Sequence, residues 1–225
     1  MTMTDRVMIF DVDGTLVDSN DAHARAWVEA LAHFDIHVET AAVRRLIGMG
    51  SDKLLPELIA VEAESPRGQE IDAARGELFR REYLPHLRPF PATRALFQAL
   101  KSEGIRLAVA SSSREEDLGR LLEIAEVADL VERRASAKDA KRSKPDPDVI
   151  HAALEQLGGG ALAGAAIGMV GDTPYDVAAA WKAGVRPLAF RCGGWSDADL
   201  SGAAFIFDGP EDMLARLSLA VNAVR

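Results

Sequence analysis

A single cysteine, Cys192, stands among 225 residues. That excludes an internal disulfide and every multi-cysteine zinc site, and it suits a reducing, cytoplasmic setting. Positive charge is also scarce: 26 Lys and Arg face 35 Asp and Glu, for a formal net charge of −9. Nucleic-acid binders need clustered cations along the phosphate backbone, so that class is set aside. A small phosphorylated molecule needs only one local positive spot and stays open. Long apolar runs are missing too. The longest weakly polar stretch, Ala161–Val170, is about half of the ~20 residues a membrane span needs. Met1–Arg6 is short and polar, with no apolar signal region after it. A soluble, untargeted protein with no membrane partner is expected. What is present is ordinary globular material: 48% hydrophobic and 27% charged residues, without repeats or low-complexity tracts.

Short apolar runs bounded by polar or glycine-containing turns read as buried parallel strands at Val7–Phe10, Leu107–Ala110, Ala166–Val170 and Val185–Phe190. Ala204–Phe207 is a fifth candidate, and Leu130–Val131 a further short one. Helical spacing covers Arg94–Glu103, Glu115–Ile124, Pro147–Leu157 and Tyr175–Ala183, with Gly158–Gly160 read as a helix end and flexible loop. Strands alternating with helices predict an α/β fold, a doubly wound Rossmann-like parallel sheet with right-handed crossovers. Ligands bind such sheets beyond the carboxyl ends of the strands. The alternation breaks once. Trp27, Leu31 and Phe34 share a helix face, Leu54, Leu58 and Val61 repeat the spacing, and a third helix is expected over Ile71–Tyr83. Residues 19–87 therefore read as an inserted helical domain, and 1–18 with 88–225 as the core domain. The joints fall near Asp18–Asn20 and Leu87–Pro91, where Pro89 and Pro91 restrict the chain.

The chemistry-bearing residues sit at strand ends. Asp11 and Asp13 close the first strand, and positions i and i+2 of an extended chain project to one side. Gly14 then allows a tight turn. Turn-forming Asp and Gly alone would explain that segment equally well. The second strand stops at Ser111-Ser112-Ser113, before a helix whose N-terminus can hold an anion, although a serine run there is more often a cap. Met169-Val170 leads into Gly171-Asp172-Thr173-Pro174-Tyr175-Asp176, a second acidic pair, and Ser143-Lys144-Pro145-Asp146-Pro147 adds a cation before a helix. Carboxylates are hard ligands for magnesium, while hydroxyls, N–H groups and a cation suit a transferring phosphoryl group.

With these motifs in this order, the whole chain resembles the haloacid dehalogenase-like superfamily, phosphatase branch, with a helical cap. The segment Asp11-Val12-Asp13-Gly14-Thr15-Leu16-Val17-Asp18-Ser19 carries most of the resemblance, followed by Lys144-Pro145-Asp146-Pro147 and Gly171–Asp176. It implies Asp11 as nucleophile and Mg2+ ligand, and Asp13 as general acid/base with its carbonyl on the metal. It also implies Ser111, Ser112 and Lys144 as phosphate-binding groups, Asp172 as the third metal ligand and Asp176 as a supporting group behind them. A small phosphorylated metabolite, a phosphate monoester such as phosphoglycolate or a sugar phosphate, with nucleoside monophosphates also open, would be hydrolysed through an aspartyl-phosphate, with the cap, residues 19–87, choosing the substrate. His23, twelve residues after Asp11, is a candidate to contact Asp13 or the substrate. The loop Gly48–Lys53 is a candidate specificity element, with Lys53, Arg44 or Arg45 able to meet a second anionic group unless they are simply solvated. Trp181, Trp195 and Phe190 read as core or loop anchors, and Cys192 as structural.

Four other readings are weaker. A dehalogenase of the same fold lacks the second acid, Asp13, and a phosphonate-cleaving relative replaces it. A β-phosphoglucomutase-like enzyme would use Asp11 and Asp13 but holds its second phosphate with a cap-loop arginine, where Ser51 stands here. A non-catalytic binding module would be expected to have lost a catalytic residue. A cap face and a subunit face look alike in sequence, so no oligomeric state is read.

Overall fold

The computed structural model describes residues 6–224, so the polar N-terminal stretch read above lies, except for Arg6, outside the described residues. Strand β1 (Arg6–Phe10) takes the interior of the sheet because Val7, Met8, Ile9 and Phe10 have no exposed surface and need cover on both faces. Around it lie β2 (Arg106–Ala110), β3 (Arg133–Ala135), β4 (Ala166–Gly171), β5 (Arg186–Phe190) and β6 (Phe205–Phe207). The order is β3-β2-β1-β4-β5-β6, and every neighbouring pair is parallel. The fold is α/β and Rossmann-like. Successive residues of β1 serve opposite faces, as a pleated strand requires. Met8 and Phe10 join one core cluster with Phe97, Val109 and Phe190, whereas Val7 and Ile9 join another with Ala108, Ile150 and Ala180.

The third strand corrects the expectation at Leu130–Val131. Those two residues lie in the preceding turn and pack on the core, while pairing with β2 begins at Arg133. β3 is an edge strand with Arg133 and Arg134 exposed and only Ala135 buried. Charge is tolerated, even useful, on an edge, so a search for apolar runs passes over it.

Between β1 and β2 run α1 (Asn20–Ala32), α2 (Thr40–Arg44), α3 (Ser51–Ile59) and α4 (Pro66–Leu78). Trp27, Leu31, Val43, Leu54, Leu55 and Ile71 form their own buried cluster. Helix α4 starts five residues before the expected Ile71. Ser65 caps it by accepting the Gly68 N–H at 3.1 Å, and Pro66 occupies its first turn. The helix gives way at Phe79 to a π-helical turn that ends at Tyr83. Val61 lies past the end of α3, which stops at Ile59.

The remaining helices are α5 (Thr93–Ser102), α6 (Glu115–Ile124), α7 (Asp148–Leu157), α8 (Pro174–Ala183), α9 (Pro210–Ala215) and α10 (Leu217–Ala223). Gly158 ends α7 with φ +128°, and Gly159–Leu162 then forms a 3₁₀ turn where a loop was expected. Phe190 is fully buried, but Trp181 is 63% exposed. Its indole N–H still anchors a loop, donating to Gly202 O at 2.8 Å. Among the described residues, no helix is long and apolar enough to cross a membrane.

Parallel register brings the strand ends to one edge. Phe10 pairs with Val109 on one side and Val170 on the other. Residue 11, the serines after Ala110 and Asp172 therefore emerge together, where the strand order turns back at β1.

Candidate active site

Asp11 leaves β1 with its N–H bonded to Val170 O at 2.8 Å, and its side chain is buried. Lys144, 1% exposed, donates Nζ–H to Asp11 Oδ1 at 2.5 Å and lies 2.7 Å from Asp176 Oδ1. Burial alone would push the Lys144 ammonium down. The charges and hydrogen bonds of Asp11 and Asp176 outweigh that and carry it above its ordinary value. The Asp11 carboxyl is pushed well up by burial and by Asp176, Asp172 and Asp13, with Lys144 pulling the other way.

Asp13 is the opposite case. Burial works to raise it, but His23 and the hydroxyls of Ser113 and Ser19 hold it below the usual carboxylate range. His23 Nε2 is 2.8 Å from Oδ1, Ser19 Oγ donates to the same oxygen at 2.6 Å, and Ser113 Oγ donates to Oδ2 at 2.6 Å. The imidazole is itself fixed by stacking on Phe79, with ring centroids 4.0 Å apart. His23 thus meets Asp13, one of the two contacts expected for it.

Asp172, fully buried, accepts from Thr15 Oγ1 at 2.9 Å and Asn20 Nδ2 at 2.8 Å. The backbone is drawn tightly around it. Gly14 has φ +72°, and a Cβ there would come within 2.4 Å of Asp172 Oδ2; a Cβ on Gly193 would come within 1.9 Å of the same atom. Asp176 caps α8 in a reciprocal box, its Oδ2 accepting from the Thr173 N–H at 3.1 Å and hydroxyl at 2.6 Å.

Carboxylate oxygens of Asp11, Asp172 and Asp176 all lie within 4.8 Å of one another. Three buried acids face the single ammonium of Lys144, and two of them are pushed up in pKa. An oxygen-rich pocket with surplus negative charge fits a divalent cation. Asp172 is pushed up to about 7 by burial and by Asp176, against the pull of Asn20, Thr15 and Lys144. A raised folded-state value favours the protonated native form, so this contribution is full below the ordinary 3.8 and lost as pH rises through about 7. Chelator-treated wild type is expected to lose more melting temperature between about pH 4 and pH 8 than Asp172→Asn does. Equal losses would remove Asp172 as the source.

Beside these groups opens a cavity of about 280 Å³, lined by Asp11, Asp13, His23, Ser111–Ser113, the Gly48–Asp52 segment and residues of α1 and α4. Ser111 is 1% exposed and accepts the Ser113 N–H at 3.0 Å, whereas Ser112 Oγ donates to Gly48 O at 3.3 Å. The cations expected near a second anion are engaged elsewhere. Arg44 donates to Asp21 and Gly193 O, and Lys53 pairs with Asp146. Neither they nor Arg45 line the cavity. Cys192 lies 3.5 Å from Gly14 O, and burial and Asp172 push its thiol far up, against thiolate chemistry.

Sequence reasoning gave no role to Thr15, Ser19, Asn20 or Ser113. Three of them belong to or adjoin the first acidic motif and the fourth to the serine run, but a hydroxyl beside an acid reads equally well as a turn residue.

The haloacid dehalogenase-like hydrolase family profile matches residues 8–190. A phosphoglycolate phosphatase of Rhodospirillum rubrum is 33% identical over 214 residues, covering 90% of this chain and 87% of that protein. One from Aquifex aeolicus is 30% identical over 186 residues, covering 80% and 82%. A hydrolase structure from Pseudomonas syringae superimposes with a TM-score of 0.86 at 24% identity, covering 96% of this chain and 98% of that one. The acid-and-lysine cluster beyond a Rossmann-like sheet and the profile match agree: this chain belongs to the haloacid dehalogenase-like hydrolases.

Proposed function

We propose that this chain is a magnesium-dependent phosphatase of small phosphate monoesters, working through an aspartyl-phosphate in a cytoplasmic setting. The observation that carries the reading is the buried contact of Lys144 with Asp11 beside Asp172 and Asp176. The phosphoglycolate phosphatases among its relatives support it. Asp11, Asp172 and the backbone carbonyl of Asp13 would hold the metal, with Asp176 behind them. Bound there, the metal supplies Lewis-acid charge against the approach of carboxylate to phosphate.

The chain's own groups account for the rest. Asp11 attacks phosphorus in line. Lys144 offsets the repulsion between that carboxylate and the phosphate, and Ser111 Oγ and the Ser112 N–H hold phosphate oxygens. Asp13, kept ionised by its three partners, is ready as base for the hydrolytic water. To act first as acid towards the leaving oxygen it must gain a proton, and His23 Nε2, 2.8 Å away, is the group placed to pass one. Helices α1–α4, within residues 19–87, act as the cap that closes the site.

Inorganic phosphate release from a panel of phosphate esters, with magnesium or chelator, tests this. Metal-dependent release is expected. Absence of release from every ester, with formation of glucose 6-phosphate from β-glucose 1-phosphate, would replace the phosphatase with a mutase.

A further inference from the structure

The stretch that carries Lys144 has little regular structure of its own. Between the 3₁₀ turn at Ala137–Asp139 and the start of α7 at Asp148, no helix or strand forms. Isolated bonds tie the backbone instead. The Asp146 N–H donates to Ser143 O at 3.0 Å, and the Arg142 N–H to Asp148 Oδ2 at 3.2 Å. The Ser143 N–H reaches further. It donates at 3.0 Å to Oδ2 of Asp52, which stands in the first turn of α3.

A second link follows on the other side of Lys144. Lys53, next to Asp52, pairs with Oδ2 of Asp146. Arg142 Nη1 and Lys182 Nζ stand 3.6 and 3.5 Å from Asp146 Oδ1, so three cations share one acid and Lys53 is the nearest. The Lys53 and Asp146 side chains are only 24% and 20% exposed, so salt screens their pair less than an open surface one. The chains approach closely here. A Cβ on Gly50, just before α3, would come within 2.8 Å of the Ser143 Cβ. The same loop accepts from Ser112 Oγ at Gly48 O, 3.3 Å away, and from the Tyr175 hydroxyl at Arg45 O, 2.6 Å away. Residues 45–53 thus rest on the serine run, on both sides of Lys144 and on the first turn of α8.

Placement matters more for Lys144 than for an ordinary lysine. Its ammonium meets Asp11 at 2.5 Å and Asp176 at 2.7 Å, where Coulomb energy changes steeply with displacement. Ser143 and Asp146 bracket it, so bonds to both fix the backbone from which its side chain springs.

We propose that Asp52 and Lys53 are positioning residues that clamp the 143–146 segment, so that seating α3 on the core sets the place of the Lys144 ammonium. The effect on turnover rests on the phosphatase reading above; the clamp itself does not. Lys53 does not line the cavity, whereas Asp52 does. The test therefore has to separate a positioning acid from one that touches substrate.

Amide hydrogen exchange at Ser143 and Asp146 is followed by NMR on the full chain. In parallel, kcat and KM are measured on the ester turned over fastest in the phosphate-release panel. Asp52→Ala is expected to speed exchange at both amides by about 10-fold, the size of one hydrogen bond. It should lower kcat by roughly 10- to 100-fold, the scale of a misplacement near 1 Å, with little change in KM. Asp52→Asn loses the same charge but keeps an acceptor oxygen, and should recover most of both. Lys53→Met should lower kcat by about 2- to 5-fold, as for a partly exposed ion pair. It should also speed exchange at Ser143, which Lys53 does not touch, and Lys53→Arg should restore both. A raised KM with unchanged kcat in Asp52→Ala would make Asp52 a substrate contact and overturn the clamp. Wild-type exchange at Asp146 in both Asp52→Ala and Lys53→Met would overturn it too. If the wild type releases phosphate from no ester, the phosphatase reading falls, and the exchange rates alone decide the clamp.

Discussion

Asp11→Asn is expected to lower metal-dependent phosphate release by at least about 10⁴-fold, the scale of losing an attacking group, while raising the melting temperature of the chelator-treated protein. Both effects come from one carboxylate. An amide at position 11 keeps an oxygen for Lys144 but cannot attack phosphorus and carries no charge. The native carboxyl is pushed well above its ordinary range by burial and by Asp176, Asp172 and Asp13. A raised folded-state value means that the stability it contributes is present below its ordinary pKa and lost as pH rises through the folded one. The ionised group is therefore a liability in the metal-free fold, and the amide removes it. Phosphate assays and thermal melts on the same preparation check both halves. Turnover at the wild-type rate would end the nucleophile assignment, and a lower melting temperature would mean that Lys144 needs the charge more than the acids resent it.

Lys144→Met should act in the other direction on stability and in the same direction on activity. Lys144 is the ammonium in direct contact with Asp11 and Asp176. Removing one side of a buried ion pair while leaving the acids in place costs about 3–5 kcal/mol. Turnover should fall as well, because nothing then offsets the repulsion between Asp11 and an approaching phosphate. Urea unfolding of both single variants and of Asp11→Asn/Lys144→Met separates the causes. In the Lys144→Met background Asp11→Asn should restore more stability than it adds to the wild type, since it there removes a carboxylate left without its ammonium. Effects that simply add would show that Lys144 matters through packing of its methylene chain.

These effects concentrate on residues that a reading of the chain could find. Asp11, Asp172 and Asp176 stand at or soon after apolar runs that parallel pairing aligns, so register alone carries Asp11 and Asp172 to one edge, while Lys144 was marked by its place before a proline-started helix. Five of the sheet's strands, β6 included, were visible as apolar runs. A strand covered on both faces must be apolar along its length, as Val7–Phe10 is. β3 was hidden because an edge strand is released from that demand, and Arg133 and Arg134 face solvent. Helix α4 was misplaced by five residues. Its first turn is specified by Ser65 and Pro66, while an apolar pattern marks only where the buried face begins.

Roles that depend on several side chains meeting were not legible in this way. Lys53 and Arg44 have the right charge for a second anion, yet each is spent on a partner distant in the chain, Asp146 and Gly193. Asp52 looks like any helix-start acid until the Ser143 N–H is placed against it. The ionised state of Asp13 likewise needs His23, Ser19 and Ser113, the last of them a hundred residues away.

The amino-acid sequence by itself determined the α/β architecture, the edge at which the acids gather and their chemical kind, because apolar periodicity and strand-end position are local properties. Only the tertiary structure decided which cations remain available, which carboxyls are pushed up or down and how the cavity is walled. Those are sums over groups far apart in the chain, and burial and Coulomb energy depend on distance in space.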